Sequence, residues 1–241
     1  MLIAAGGPVI PDFSGGSSFS CERANHAFCM GWVERNWSGV LWPALRDHIL
    51  LTVIAVAIGF AISTALALLA YRRQSLERPI LTITLILYTI PSIALFELLV
   101  PIKGLGLSPR SAELALISYT LLILFRNTLT GLREVPQDVL DAARGMGMSA
   151  RQSLWRVELP LALPAIVAGL RIATVTVISL ATITPLIAVQ SLGTPIFAAI
   201  GNNLFKTELI AGGGLAVALA LFADGAFVLA QRALTPWVRA R

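Results

Sequence analysis

From residue 49 to residue 70 the chain carries no charged side chain, and about 20 apolar residues suffice for a helix to cross the hydrocarbon core of a bilayer. Four further stretches are nearly as clean. Residues 79–102 hold only Glu97, 111–125 only Glu113, 160–189 only Arg171 and 209–230 only Asp224. In hydrocarbon every backbone N–H and C=O must find its partner inside the segment or a closed barrel. The expected fold is therefore all-α and polytopic, with five transmembrane helices. Only 13% of the residues are charged, against about 25% in soluble domains, which excludes a soluble enzyme.

The net charge of +5 is a matter of topology and does not point to nucleic acid. If the charged stretch 132–160 is cytoplasmic and the spans alternate, eleven Lys and Arg residues fall inside and six outside, as the positive-inside rule requires. The N-terminus is then outside and the C-terminus cytoplasmic, in a plasma membrane protein embedded in lipid. Residues 1–20 are rich in Gly and Ser and lack the basic start, apolar core and cleavage site of a signal peptide. The first span is expected to serve as the insertion signal. Two parts follow: an extracytoplasmic segment 1–48 and a membrane domain 49–241.

The external segment holds the only two cysteines, Cys21 and Cys29. Outside the cytoplasm a disulfide can persist, but on one continuous helix the two would stand about 12 Å apart, too far to bridge. A bond needs a turn, and Asn25-His26 offers one; two free thiols remain the alternative. With His26 they make only three ligands, so no metal site is expected. Trp32, Trp37 and Trp42 recur at five-residue intervals before the first span, the pattern of an interfacial helix on the outer leaflet.

Within the spans, Pro91-Ser92 sits near mid-membrane, where a proline frees a backbone carbonyl that protein or water must satisfy. It either lines a passage through a kink or adapts helix packing. Arg171 must face a cavity or a partner. Thr174, Thr176, Ser179, Thr182 and Thr184 form the densest polar run in any span; their hydroxyls serve helix packing or line a route. Leu192-Gly193-Thr194-Pro195 is expected to end span four, with a short external amphipathic segment to follow. Gly212-Gly213-Gly214 is expected to loosen the start of span five.

The charged stretch 132–160 reads as two short helices joined by a glycine turn. Pro136 opens the first helix, Gly145 and Gly147 break between them, and Ser149 caps the second. Ala142, Ala143 and Gly147 let this knob approach another surface closely, while Leu140, Met146 and Met148 offer apolar contact and Asp141 and Arg144 a charged rim. The chain has no Gly-x-x-x-x-Gly-Lys-[Ser/Thr] phosphate loop and no nucleophile–base set. It is not expected to be an enzyme, and any ATP-driven work must come from another subunit.

The knob also carries a spaced pattern: Asp141-Ala142-Ala143, three residues, Gly147, nine residues, then Val157-Glu158-Leu159-Pro160. This resembles the Glu-Ala-Ala loop of bacterial ABC importer permeases, with Asp141 in place of Glu and Val157 in place of Ile. From about residue 44 onward the chain is similar to the osmoprotectant branch of that family. The residues carrying this are Thr89-Ile90-Pro91-Ser92, Arg126-Asn127-Thr128, Glu158-Leu159-Pro160, Ala168-Gly169-Leu170-Arg171 and Leu234-Thr235-Pro236.

The resemblance implies a five-helix permease whose coupling residues are Asp141, Ala142, Ala143, Arg144, Gly145, Met146, Gly147, Met148, Leu159 and Pro160. It places Pro91, Ser92, Arg171, Thr174, Ser179 and Thr182 near the translocation path. It further implies two ATP-binding subunits holding ATP and Mg, an extracytoplasmic binding protein and a second permease subunit, with no cofactor in this chain. Two departures stand out: residues 187–191 replace a glycine-rich run, and Tyr88 stands where a Gln is common. Because both lie near the path, a different partner permease is favoured over a second copy of the same chain. The expected cargo is glycine betaine, choline or carnitine. An amino acid or a sulfur betaine on the same architecture is the alternative, and an ATPase-independent carrier is a distant third.

Overall fold

A computed structural model describes residues 21–235, so the expectations for residues 1–20 and for Pro236 lie outside the described residues. Among the described residues the chain is helical throughout. Helix α1 (Met30–Asn36) runs through a π turn, Trp37–Leu41, directly into α2 (Trp42–Arg72). The resulting rod of 43 residues is about 65 Å long, roughly twice a bilayer core of about 30 Å. No break falls at residues 48/49, and the three tryptophans ride on the same rod as the first span.

Span two is more than a kinked helix. It consists of α3 (Glu77–Thr89) and α4 (Ser92–Leu99), bent by 95° at Ile90-Pro91. Proline cannot donate to the helix ladder and pushes the preceding residue to extended backbone, and Ile90 sits at ψ 128°. The freed Ile90 carbonyl accepts the Tyr119 hydroxyl at 2.5 Å. Tyr119 in turn stacks edge-on against Tyr88, ring centroids 6.0 Å apart. This gives Tyr88 a structural role in holding the break.

Helix α5 (Pro109–Arg133) is the hub: α2, α3, α4 and α8 all pack on it. Leu116, Phe96, Val177 and Ile187 meet there with at most 0% exposure each. Lipid gives helices no hydrophobic drive to associate, so small residues that permit close approach decide the packing. A Cβ at Gly59 of α2 would lie 1.9 Å from Thr120 Oγ1 of α5.

After α5 come α6 (Gln137–Gly145), α7 (Ala150–Ser153), a π turn (Leu154–Glu158) and α8 (Leu159–Ala181). Helix α8 stops eight residues short of the expected end at Val189, because Thr182 and the Thr184–Ile187 3-10 turn, with Pro185, close it off. The break thus precedes Leu192-Gly193, and Gly193 opens α9 (Gly193–Gly201) instead of ending a helix. The segment expected to be external and amphipathic is an apolar hairpin, α9 returning on α10 (Lys206–Leu234). The triple glycine lies inside α10 and loosens nothing. Gly212 packs there, its Cβ position 2.9 Å from Pro195 Cγ.

Among the described residues, four helices are long and apolar enough to cross a membrane, or five with the bent pair counted as one span.

Candidate functional site

The knob between α5 and α8 is built from local rules. Pro136 is extended (ψ 139°) and opens α6. Leu140 and Ala143 turn inward, 8% and 1% exposed, whereas Asp141, Ala142, Arg144 and Gly145 face out. Asp141 accepts from Arg144 Nη1 at 2.9 Å across one turn. Helix α6 ends in a Schellman turn, in which Gly147 N–H donates to Arg144 O (2.9 Å) and Met148 N–H to Ala143 O (3.1 Å). That geometry requires a left-handed residue, and Gly147 has φ +77°. Gly145 is the last helical residue and carries no such demand.

Ser149 then caps α7 in a reciprocal box, accepting Gln152 N–H at 3.3 Å while Gln152 Oε1 accepts Ser149 N–H at 2.9 Å. The chain climbs into α8 through the π turn, where the Ser153 hydroxyl donates to buried Glu158 at 2.7 Å. Leu159 and Pro160 are half-buried at the base of α8. They fix the exit from the knob and stay off its tip. An ion pair from Arg133 to Glu77 (2.7 and 2.5 Å) ties the end of α5 to the start of α3 beside it.

Of the three apolar contacts expected on the knob, Leu140 serves the chain's own packing and Met148 is half-buried. Only Met146 projects, 69% exposed; Trp155, in the π turn, is 60% exposed. Trp155 escaped the sequence reading. A tryptophan beside Arg151 and Arg156, outside any apolar run, was the available signal.

The residues expected near a path separate into groups. Pro91 and Ser92 sit at the 95° bend, and α4 packs against the Thr184–Ile187 turn. Arg171, Ser179 and Thr182 fall on the uncovered face of α8, whereas Thr174 is buried on the other side, facing α2 and α10. Arg171 grips Asp224 of α10 with two hydrogen bonds, Nε to Oδ1 at 2.8 Å and Nη2 to Oδ2 at 3.0 Å. Where a glycine-rich run is the family habit, Ala188 adopts φ +58°, the conformation that glycine takes without penalty. His48 is fully buried, and its Nδ1 accepts Leu192 N–H at 3.3 Å.

At the opposite end, Cys21 and Cys29 are joined by a disulfide with Cα atoms 5.9 Å apart. The turn between them uses Asn25 at φ +46°. The loop docks on the start of α10: Cys29 N–H donates to Thr207 Oγ1 (2.9 Å), Lys206 N–H to Asn25 Oδ1 (2.9 Å) and Asn25 Nδ2 to Leu204 O (3.2 Å). Trp32 stacks edge-on against Phe205, centroids 5.7 Å apart, and Arg35 pairs with Glu22. Replacing both cysteines with serine is expected to free this loop and raise amide exchange over residues 202–208 at least tenfold, with the rest of α10 unchanged. Mass-spectrometric exchange checks this.

Residues 57–239 match the family described as "Binding-protein-dependent transport system inner membrane component". The choline transport system permease protein OpuBB of Bacillus subtilis is 38% identical over 199 residues, 82% of this chain and 90% of the relative. The glycine betaine/carnitine/choline transport system permease protein OpuCB of the same organism is 34% identical, covering 86% and 94%. Among solved structures, an inward-facing MetNI methionine ABC transporter chain superposes with a TM-score of 0.75 at 23% identity, over 81% of this chain and 96% of that one, a likeness of fold. A helical body with four or five candidate spans is thus matched by the family model over most of its length and by relatives more than 30% identical: the chain belongs to the binding-protein-dependent transport family of inner-membrane components.

Proposed function

We propose that this chain is the permease subunit of an ATP-driven importer for a quaternary ammonium osmoprotectant such as glycine betaine, choline or carnitine. The observation that carries the reading is the knob: a two-helix elbow, its turn closed by the Schellman bonds and the Ser149 box, whose exposed tip presents Ala142 and Met146. Such a tip fits a groove on a soluble partner. The relatives' names supply the cargo class.

In this reading the elbow lies in the cytoplasm, with the N-terminus outside and the C-terminus inside. Two ATP-binding subunits hold ATP and Mg. Their closure pushes the elbow, and the Ser153–Glu158 bond and the Arg133–Glu77 pair pass the displacement to α8, α5 and α3. A second permease subunit, a different chain by preference, completes the passage, and an external binding protein delivers the solute.

Reconstitution in liposomes with the ATPase, the partner permease and the binding protein tests this. Labelled glycine betaine or choline should accumulate only with ATP and the ATPase present. Accumulation without the ATPase would show a secondary carrier, and accumulation of methionine or a sulfur betaine alone would overturn the cargo assignment.

A further inference from the structure

Arg171 stands about 18 Å along α8 from Leu159, and Asp224 about 15 Å along α10 from Leu234, at ~1.5 Å per residue. Both therefore lie well inside helices long enough to cross a core about 30 Å thick, yet their side chains remain 33% and 38% exposed. A charge facing hydrocarbon is costly even when paired, so such residues face water or protein. The two helices bear different outer surfaces. On α10 the exposed residues are Val217, Leu221, Phe222 and Leu229, 59–75% exposed and suited to acyl chains. On α8 the uncovered face mixes apolar Leu161, Ile172 and Val175 with Ala168, Arg171, Thr176, Ser179 and Thr182. Of the two faces, only that of α8 sets hydroxyl side chains beside the charge.

A cavity of about 430 Å³ opens on this face, lined by Ala168, Arg171, Ile172, Val175, Thr176 and Asp224. The ion pair uses Nε and Nη2 of the guanidinium, which leaves the Nη1 group as a further donor. The site thus sets a donor-rich cation beside an anion within the spans.

We propose that Arg171, Asp224 and Thr176 form a transient binding site for a zwitterionic solute on the passage-facing side of α8. The solute's carboxylate meets the remaining Arg171 donors, and its quaternary ammonium, which has no N–H to give, lies against the Asp224 carboxylate. The inference rests on the importer reading above and adds a selectivity to it. A zwitterion such as glycine betaine engages both charges; choline, which lacks the carboxylate, engages only Asp224.

The test compares ATP-dependent uptake of glycine betaine and choline by the complete importer in liposomes. Arg171→Gln should lower the betaine-to-choline uptake ratio about tenfold, the weight of one charge-assisted hydrogen bond. Exchanging the charges (Arg171→Asp with Asp224→Arg) should keep α8 and α10 joined but leave betaine uptake impaired. Full recovery of both solutes in the exchanged variant, or equal losses of both in Arg171→Gln, would reduce the pair to a helix staple and overturn the proposal. Uptake of choline alone by the unaltered importer overturns it too. Failure of the unaltered importer to carry either solute defeats the importer reading and the inference with it.

A second measurement does not depend on tolerating the loss of Arg171. Both native cysteines are bonded to each other, so Ser179→Cys supplies the only free thiol. It should react with a charged, water-soluble thiol reagent in the assembled importer and be shielded by glycine betaine. No reaction, or reaction without shielding, contradicts the site.

Discussion

Replacing Gly147 with valine is expected to cut coupled uptake at least tenfold while the importer still assembles in the membrane. Space is not the obstacle, because nothing lies within 4 Å of where a Cβ would sit. The obstacle is the backbone. At φ +77° an L-residue pays about 1–2 kcal/mol for the left-handed conformation, and a β-branched one is worse placed still. That strain is enough to shift occupancy of the Schellman turn about tenfold, and with it the angle between α6 and α7. Gly145→Ala is the control. It lies two residues earlier, is helical and is equally uncrowded, so alanine should be neutral or slightly stabilising. Uptake measured in matched amounts of assembled importer separates the two, and equal activity of Gly147→Val and wild type would remove the turn from the mechanism.

Gly193→Ala should be the most damaging conservative change in the membrane body. Its Cβ would lie 1.8 Å from the Thr182 carbonyl oxygen and 2.6 Å from the carbonyl carbon, backbone atoms that close the end of α8. Overpacking costs about 1–3 kcal/mol where side chains can give way; here the upper end is expected, since the obstacle is main chain. The neighbourhood has little slack, because Leu192 N–H is held by buried His48 and Gly193 N–H by Ser191 Oγ at 3.0 Å. The variant should accumulate poorly and melt early in detergent. Gly201→Ala at the far end of α9, with nothing within 4 Å, should behave as wild type. Similar melting of the two variants would mean that the α8–α9 connection is not the tight joint described here.

These two glycines show what a sequence reveals and what it hides. Gly147 was legible because its reason is local: a helix end, a capped restart at Ser149 and a spacing that leaves one left-handed residue. Gly193 was misread as a helix stop, since the need for glycine there comes from Thr182, a neighbour brought in by the fold. The same division holds elsewhere. Uncharged runs fixed the spans, and Pro91 marked a break, but the 95° bend depends on Tyr119 reaching the Ile90 carbonyl from another helix. The end of α8 was placed too late because apolarity continues through Val189 while helicity stops at Ala181.

The candidate site divides in the same way. The alternation of Leu140 and Ala143 inward with Asp141 and Ala142 outward follows helical periodicity, but which face met the protein did not. Leu140 was therefore expected on the docking surface and Trp155 was overlooked. The partnership of Arg171 with Asp224, 53 positions apart, leaves no trace in either residue's surroundings along the chain.

For this importer to work, the elbow has to face the cytoplasm and seat in an ATPase. Met146 is its most exposed apolar side chain, and Met146→Cys would be the protein's only free thiol. With a membrane-impermeant thiol reagent, the expected result is no labelling in intact cells, labelling in inside-out vesicles stripped of the ATPase, and protection when the ATPase is added back. Labelling from outside intact cells, or labelling indifferent to the ATPase, would contradict the account.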